Sequence, residues 1–324
     1  MPVRNGGRWL RPAVESILRQ PGVRVELVLV DDGSSDGAVA ALPADARLRR
    51  LANPGRGLVD ALNAAAAAAR GAWLARMDAD DEALPGRLQA QLAYLRDQPG
   101  VGICGTGVDI FREDGRPWGG YRHYQAWING LRTPQAIARE IFVESPIPHP
   151  TAMMHRDLFN RLGGYRDVPW AEDYDLWLRA FAAGIGMGKP EGIWLRWRDH
   201  DARTSRVDQR YTGGRFLQAK AHYLACTVLR ARHAVLLGAG ATAARLCDAL
   251  EQAGAGVAAF VDVNPRRVGG RKRGRPVLTL ERAVAAYRDA VFIAAAGSRG
   301  ARGRIREAMR RRGRHEGGDF WCAA

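Results

Sequence analysis

Short apolar runs alternate with segments of helical periodicity over the first hundred residues. The predicted order is strand 25–30, helix 56–70, strand 72–77, helix 85–96 and strand 101–111. Gly71 ends the first helix, and Pro85 stands in the first turn of the second, where its missing N–H costs little. This rhythm predicts an α/β domain with a mostly parallel sheet covered by helices. Ligands of such sheets bind beyond the carboxyl ends of the strands.

A second strand–helix rhythm begins after a predicted helix at 208–230. Its order is strand 233–237, a Gly-Ala-Gly turn, helix 241–253 and strand 257–261. We therefore expect two domains, a larger one at residues 1–230 and a smaller, Rossmann-like α/β domain at residues 231–324.

The excess of positive charge is concentrated in the second of these regions. The 324 residues carry a formal net charge of +15, and residues 230–324 alone hold 19 Lys and Arg against 8 Asp and Glu. Such a surface suits anionic lipid headgroups or nucleic acid, although a solvated arginine surface is the simpler interpretation. No nucleic-acid-binding motif accompanies it, so nucleic acid is not an expected partner.

Cysteine usage and the lengths of the apolar runs favour the cytoplasm. The four cysteines have no metal-ligand spacing, which is typical of free thiols in a reducing compartment. The first residues lack the apolar core of a signal peptide, and no window approaches the roughly 18 apolar residues of a membrane span. We expect a cytoplasmic protein, with peripheral contact at the inner face of the cell membrane as an alternative.

Two acidic clusters lie where a site is expected. Asp78, Asp80 and Asp81 follow a buried strand, and carboxylates are the hard oxygen ligands that Mg²⁺ and Mn²⁺ prefer. The alternative is an acidic turn that caps the next helix. Glu172 and Asp173 begin a predicted helix, where a fixed carboxylate could take a proton from a bound hydroxyl. The alternative there is simple stabilisation by the helix dipole.

Further short segments accompany the two clusters in a fixed order. They are Met1–Asn5, Val30–Asp36, Asn53, Gly57, Asn63, the Asp-x-Asp run Met77–Asp81, Pro85, Arg87, Leu88, His149, Pro150, Gly163–Tyr165, Glu172, Asp173 and Arg198–Ser205. Together they resemble family 2 glycosyltransferases of the GT-A fold over roughly residues 1–225. The resemblance implies an inverting, metal-dependent transferase of hexosyl type that uses a nucleotide-sugar donor and a glycan or lipid-linked acceptor.

The resemblance also implies roles on the donor side. The residues implied to contact the nucleotide sugar are Pro2, Asn5, Asp31, Asp32, Arg56, Asp78 and Asp80. Asp80 and Asp78 are implied as ligands of Mn²⁺ or Mg²⁺, with His200 completing the site. For His200 a surface-loop histidine is the alternative.

On the acceptor side, the resemblance implies Asp173 as the general base, with Glu172 in support. It places His149 near the acceptor cleft, and Trp170 could stack on a sugar ring. The alternatives are a turn contact for His149 and a core position for Trp170. The donor is implied to be a UDP-sugar, with GDP or dTDP as other choices, and the pathway to be surface polysaccharide or lipopolysaccharide biosynthesis.

The smaller domain carries a motif of its own. Gly238 and Gly240 follow a predicted strand and open a helix, and Asp262 ends the next strand. This is the spacing of the dinucleotide-binding fingerprint. It predicts a second site for NAD(P) or another nucleotide, or a Rossmann-like module without catalytic function.

Two other enzyme classes stay open. A sugar nucleotidyltransferase shares the fold class but needs a Gly-rich, cationic loop after its first strand, and residues 5–8 are too short for it. An NAD(P)-dependent oxidoreductase built on the smaller domain would leave both acidic clusters unexplained.

The first strand is expected to be clipped. Met1–Val3 corresponds to the end of a strand that is longer in the resembling family, and strands usually have about 5–6 residues. We therefore expect the natural protein to begin upstream of Met1.

Overall fold

The computed structural model describes residues 1–113, 121–298 and 300–324. The chain forms two compact units. The N-terminal unit comprises Met1–Ile137, Pro146–Val168 and Glu172–Val207, and the C-terminal unit comprises Ala138–Ser145, Pro169–Ala171 and Asp208–Ala324. The predicted boundary near residue 230 stays a prediction, because the C-terminal unit also includes residues that precede it in sequence.

The described strands of the N-terminal unit form three sheets. They are β1 (Pro2–Val3), β2 (Leu27–Asp31), β3 (Leu48–Ala52), β4 (Trp73–Ala75), β5 (Glu82–Ala83), β6 (Val101–Cys104), β7 (Gly107–Phe111), β8 (Met153–His155), β9 (Gly186–Gly188) and β10 (Ile193–Arg198). The order β1-β2-β3 is parallel throughout. The second sheet has the order β4-β8-β6-β9, in which β6 and β9 are parallel and the other neighbours are antiparallel. The third has the order β5-β10-β7, in which β10 and β7 are parallel and β5 and β10 are antiparallel.

Helices flank these strands, as the alternating pattern predicts. They are α1 (Leu10–Leu18), α2 (Gly57–Ala68), α3 (Arg87–Asp97), α4 (Tyr121–Gly130), α5 (Pro134–Glu140), α6 (Arg156–Arg161), α7 (Glu172–Ala182) and α8 (Thr204–Val207). Within the described residues, no helix is both long and apolar enough to span a bilayer.

Strand β2 is apolar on both faces because both faces are covered. Leu27 and Leu29 pack in a core that includes the buried face of α1, whereas Val28 and Val30 pack with Ala61 of α2. A continuous Leu/Val run is typical of a parallel strand between two layers of helix. The polar residues that follow are therefore held at the carboxyl end of a rigid strand.

The predicted strand 101–111 is two strands, β6 and β7. Gly105 lies between them, at a position where a Cβ would approach the Ile147 side chain to 2.9 Å. The Gly105 N–H donates to Gly188 O at 2.9 Å, and the Thr106 N–H donates to the Thr151 hydroxyl at 3.1 Å. The chain thereby leaves the β6 sheet and pairs as β7 with β10, the strand that leads to His200.

The C-terminal unit contains one extended sheet. Its elements are α9 (Gly213–Tyr223), β11 (Ala234–Leu237), α10 (Ala241–Gln252), β12 (Val257–Val261), β13 (Arg271–Lys272), β14 (Arg275–Leu278), α11 (Leu280–Ala286), β15 (Val291–Ala294), α12 (Ala301–Arg310) and β16 (Phe320–Cys322). The strand order is β13-β14-β12-β11-β15-β16, parallel except for the β13–β14 pair. The order reverses direction at β11, as in doubly wound sheets. Within the predicted helix 208–230, the structure has α9 from Gly213 to Tyr223. A π-helical segment, Leu224–Leu229, follows it directly.

The segment Ala138–Ser145 is part of the C-terminal unit through specific contacts. The Glu140 carboxylate accepts hydrogen bonds from Arg302 and Arg306, each at 2.6 Å. The Phe142 ring lies edge-on to Trp321 with centroids 5.7 Å apart. These partners come from sequence positions more than 150 residues away, which no local pattern can reveal.

Candidate functional site

The end of β2 is organised by its own carboxylates. Asp31 accepts a hydrogen bond from the Ser34 N–H at 2.9 Å, which closes a turn. Asp32 accepts from the Asn53 side chain at 2.7 Å and from the Gly57 N–H at 2.9 Å. Asp32 therefore fixes the start of α2, a structural task that the sequence does not disclose.

The segment that contains Pro2 and Asn5 lies beside this turn. Pro2 pairs with Val30 in the parallel ladder. Asn5 has a left-handed φ of 54°, and its side-chain oxygen accepts from the Ser35 N–H at 2.8 Å. The structure thus brings together the two segments for which the resemblance implies contact with the nucleotide, and that contact stays a prediction. Arg56 is exposed directly before α2, and its contact with the donor stays a prediction.

The run after β4 forms a compact carboxylate cluster. One ligand atom from each of Asp78, Asp80 and Asp81 lies within 4.8 Å of the others. Asp81 is 1% exposed, its Oδ1 accepts from the Arg198 N–H at 2.8 Å, and its Oδ2 has no hydrogen-bond partner in the described part of the chain. Burial, and then the charges of Asp80 and Asp78, raise the pKa of Asp81 well above its usual range. The sequence names Asp81 in the cluster but does not reveal that its carboxylate is buried.

His200 contacts this cluster through Asp80, and its role in completing a metal site stays a prediction. Its Nε2 is 2.8 Å from Oδ2 of Asp80, and the Trp9 ring lies over the imidazole with centroids 4.6 Å apart. Burial raises the pKa of Asp80, but the His200 hydrogen bond and the charge of Arg203 outweigh it and lower the pKa. Trp9 is a site residue that sequence reasoning missed, because its contact joins positions far apart in the chain.

Two buried arginines contact residues of the acidic run. Arg76 is 9% exposed and forms an ion pair with Asp78. Arg87 is fully buried and donates to the backbone carbonyls of Arg76 at 2.8 Å and Pro150 at 2.7 Å, and to Met77 Sδ at 3.3 Å. Burial lowers the pKa of Arg87 to about 10. Arg87 therefore ties the acidic run to the loop that carries His149.

The second acidic pair stands at the first turn of α7. Glu172 is fully buried and Asp173 is 8% exposed, with Asp173 Oδ1 accepting the Tyr174 N–H at 2.7 Å. His149 Nδ1 lies 3.7 Å from Glu172 Oε1, and its Nε2 lies 2.8 Å from the Tyr165 hydroxyl. Burial, and then the charge of Arg76, lower the pKa of His149 well below its usual range, so this imidazole is neutral near pH 7.

Electrostatic contacts link the two acidic clusters. Burial raises the pKa of Tyr165, and the charges that act on it come from Arg76 and from carboxylates of both clusters, Asp78 on one side and Glu172 and Asp173 on the other. The charges of both carboxylate groups therefore act on Tyr165, and both groups belong to the N-terminal unit.

Trp170 belongs to the C-terminal unit. Its ring centroid is 5.6 Å from that of His222 on α9. Its predicted stacking on an acceptor sugar stays a prediction.

The glycine-rich turn of the C-terminal unit has the expected local geometry. Gly238 follows β11 with a φ of 121°, which favours glycine, and Gly240 caps α10. Asp262, at the end of β12, accepts from the Ala239 N–H at 3.1 Å and from Arg267 at 2.9 Å. The fingerprint residues therefore come together at the point where the strand order reverses, with the Asp262 carboxylate already engaged by the turn and by an arginine.

Comparisons with known proteins match the N-terminal half of the chain to a known family. The profile described as "Glycosyl transferase family 2" matches residues 1–163. The putative glycosyltransferase EpsE of Bacillus subtilis is 33% identical over 215 residues, covering 62% of this chain and 73% of that protein. The O-antigen biosynthesis glycosyltransferase WbnJ of Escherichia coli is 29% identical over 215 residues, covering 64% and 80%.

A solved structure shares the fold. Residues 1–349 of Staphylococcus aureus TarS, determined in complex with UDP-GlcNAc, superpose with a TM-score of 0.55 at 15% identity, covering 78% of this chain and 69% of that one. The expected α/β class with a GT-A-type domain is thus confirmed. With the family match spanning half of the sequence and the acidic clusters in place, this chain belongs to glycosyltransferase family 2.

Proposed function

We propose that this family 2 glycosyltransferase is an inverting, metal-dependent enzyme that transfers a hexosyl group from a nucleotide sugar to an acceptor hydroxyl. The observation that carries the proposal is the pairing of two acidic groups in one unit. Ligand atoms of Asp78, Asp80 and Asp81 lie within 4.8 Å of one another, and Glu172 and Asp173 stand in the first turn of α7 in the same unit.

The carboxylate cluster fits a divalent cation. Three hard oxygen donors converge, and the buried Asp81 Oδ2 lacks a hydrogen-bond partner among the described residues. Burial, and then the charges of Asp80 and Asp78, raise the pKa of Asp81. Asp80 and Asp78 would hold Mn²⁺ or Mg²⁺, with His200 at the edge of the site. The ion, when bound, neutralises charge on the departing diphosphate.

The donor would lie along the carboxyl ends of β1 and β2. Pro2, Asn5, Asp31 and Asp32 line this edge and would contact the nucleoside, because ligands of parallel sheets bind there. A UDP-sugar is the first donor to test, because TarS, which shares the fold, was determined with UDP-GlcNAc. WbnJ points to a surface glycan as the class of product.

Asp173 would act as the general base. It would accept the proton of the acceptor hydroxyl while the oxygen forms a bond to the anomeric carbon and the bond to the diphosphate breaks on the opposite face. One such displacement inverts the anomeric centre, and no covalent bond to the protein is required. Glu172 would support Asp173 from its buried position beside His149.

The test is a donor panel with the purified chain. UDP-, GDP- and dTDP-sugars are incubated with Mn²⁺, and nucleotide release is measured. We expect release from a UDP-sugar. Absence of turnover with every donor, together with thermal stabilisation by NAD⁺ but not by UDP plus Mn²⁺, would favour the oxidoreductase alternative instead.

For the C-terminal unit we propose a Rossmann-like module whose glycine-rich turn faces a nucleotide or stays structural. Contact of its basic surface with anionic lipid at the cell membrane is a separate proposal, supported by its excess of arginine. Co-sedimentation with vesicles that contain phosphatidylglycerol tests it. Binding that does not depend on anionic lipid content or on salt would remove it.

A further inference from the structure

Arg198 is the last residue of β10 and hydrogen-bonds to three consecutive acidic residues that follow β4. Its main-chain N–H donates to Asp81 Oδ1 at 2.8 Å, and its side-chain Nε donates to the main-chain carbonyl of Asp80 at 2.7 Å. Its Nη2 donates to Glu82 Oε1 at 2.8 Å, and its Nη1 forms an ion pair with Glu113. The side chain is 4% exposed, so these bonds form away from bulk water.

Two aromatic rings border the guanidinium of Arg198. Its Cζ lies 4.6 Å from the centroid of the Phe111 ring and 5.4 Å from that of the Trp9 ring. A guanidinium is a rigid planar fork whose donors point in fixed directions. Because each of its three nitrogens has an acceptor and both rings border it, the side chain is confined to one orientation.

These contacts divide the carboxylates beside Arg198 into two kinds. Both oxygens of Glu82 are engaged by cations, since Oε1 accepts from Arg198 and Oε2 accepts from Arg196 at 2.9 Å. Asp81 is held differently, because the Arg198 N–H binds only Oδ1, and the buried Oδ2 has no hydrogen-bond partner in the described part of the chain. Arg198 therefore takes part in occupying Glu82 while it leaves one buried oxygen of Asp81 available to a cation.

Asp80 is held at both ends by the segment that contains Arg198. Its main-chain carbonyl accepts from Arg198, and its carboxylate Oδ2 lies 2.8 Å from Nε2 of His200, two residues further along the chain. Groups that fix the orientation of a ligand also set how well that ligand binds a metal. Contacts from one segment thus fix the main chain of Asp80, its carboxylate and one oxygen of Asp81.

We propose that Arg198 is a positioning residue for the divalent-metal site, holding Asp80 and Asp81 in the arrangement that binds the ion. The inference rests on the proposed function, because the ion belongs to it. Arg198 acts through the two aspartates, since a guanidinium is a cation and does not ligate a metal. The geometry of its fork, and not its charge alone, is what the site requires.

The test is calorimetric titration of the full chain with UDP, once in Mn²⁺ and once in EDTA. The manganese-dependent gain is the dissociation constant in EDTA divided by that in Mn²⁺. Arg198→Lys keeps the charge but cannot reproduce the fork, so the gain should fall about 10- to 100-fold while UDP affinity in EDTA changes little. Arg198→Gln should lower the gain at least as much. An unchanged gain, or equal weakening in both media, would overturn the positioning role.

Arg196→Gln is the matched control. Arg196 lies on the same strand, binds the same Glu82, and has its Cζ 4.0 Å from the centroid of the Phe111 ring. Within the described residues, its side chain donates no hydrogen bond to the main chain of Asp80, so this variant should keep the gain. A loss as large as that of Arg198→Lys would show that charge near Glu82 decides, and would contradict the proposal.

Two further variants address the carboxylates around Arg198. Glu82→Gln keeps an acceptor for Arg198 and should keep the gain, whereas its loss would show that Glu82 itself serves the metal. If neither Arg198 variant folds, Glu113→Ala decides, at a carboxylate whose side chain is 42% exposed. It removes the acceptor of Nη1, so the gain should fall in the same direction but less, and an unchanged gain would overturn the proposal.

Failure of this inference differs from failure of the proposed function. If wild-type protein gains no UDP affinity from Mn²⁺, the metal-dependent function fails and the role of Arg198 fails with it. If the wild type shows the gain and Arg198→Lys shows it equally, the role of Arg198 alone is refuted.

Discussion

Replacing Asp173 by Asn tests the assignment of the base. Asn has the same size, and its side-chain oxygen can still accept the Tyr174 N–H that Asp173 now accepts at 2.7 Å. The change removes one negative charge from the first turn of α7, where the helix dipole contributes up to about 2 kcal/mol at a site that is not fully exposed. The chemical loss is larger, since a general base contributes about 10²- to 10⁴-fold, equal to roughly 3–5 kcal/mol of the barrier.

The assay compares UDP release at saturating donor with UDP binding by calorimetry. We expect turnover to fall at least about a hundredfold while UDP affinity and Tm change little. Asp175→Asn on the same helix is the matched control. Its carboxylate pairs with Arg179 at 2.7 Å, so that variant should lose stability but keep most of its turnover. Wild-type turnover in Asp173→Asn would refute the assignment.

Three other perturbations address the metal cluster, a buried lysine and the C-terminal unit. Asp80→Ala should weaken UDP binding about tenfold or more in Mn²⁺ but little in EDTA, measured by calorimetry, and equal weakening in both would argue against a metal ligand. Burial lowers the pKa of Lys189 from 10.5 to about 7. At pH values between these two, the folded chain binds fewer protons than the unfolded chain, so the free energy of unfolding rises with pH. Lys189→Met should therefore be more stable than wild type near pH 7, with a gain in Tm that shrinks toward pH 10, and a constant gain would contradict this. A chain ending at Arg230 deprives Glu140 of Arg302 and Arg306, so it should melt below the full-length protein, and Glu140→Gln should recover part of the loss. An equal Tm for both lengths would show that these contacts contribute nothing.

The elements and clusters that depend on local sequence could be predicted. The Leu/Val run of β2 reports a strand buried on both faces, and the acidic run after β4 is contiguous, so both are visible without a structure. The alternation of strands and helices in the C-terminal unit is likewise local. Gly238 and Asp262 come together because their strands are adjacent and parallel.

The supporting residues could not be predicted, because their partners are remote in sequence. Trp9 reaches His200, and Arg87 reaches the carbonyl of Pro150. Arg76 lies directly before the acidic run, yet the local sequence does not indicate that its guanidinium is buried in an ion pair with Asp78. An apolar pattern marks such positions as buried, but it does not say which charge a buried arginine must face.

The most direct test of the central claim is the anomeric configuration of the first-formed product. Turnover of a UDP-sugar onto water or a sugar acceptor is followed by proton NMR in Mn²⁺ and in EDTA, before mutarotation scrambles the product. The account predicts a first-formed product whose anomeric configuration is opposite to that of the donor, formed in Mn²⁺ and not in EDTA. A product of retained configuration, or full turnover in EDTA, would contradict it.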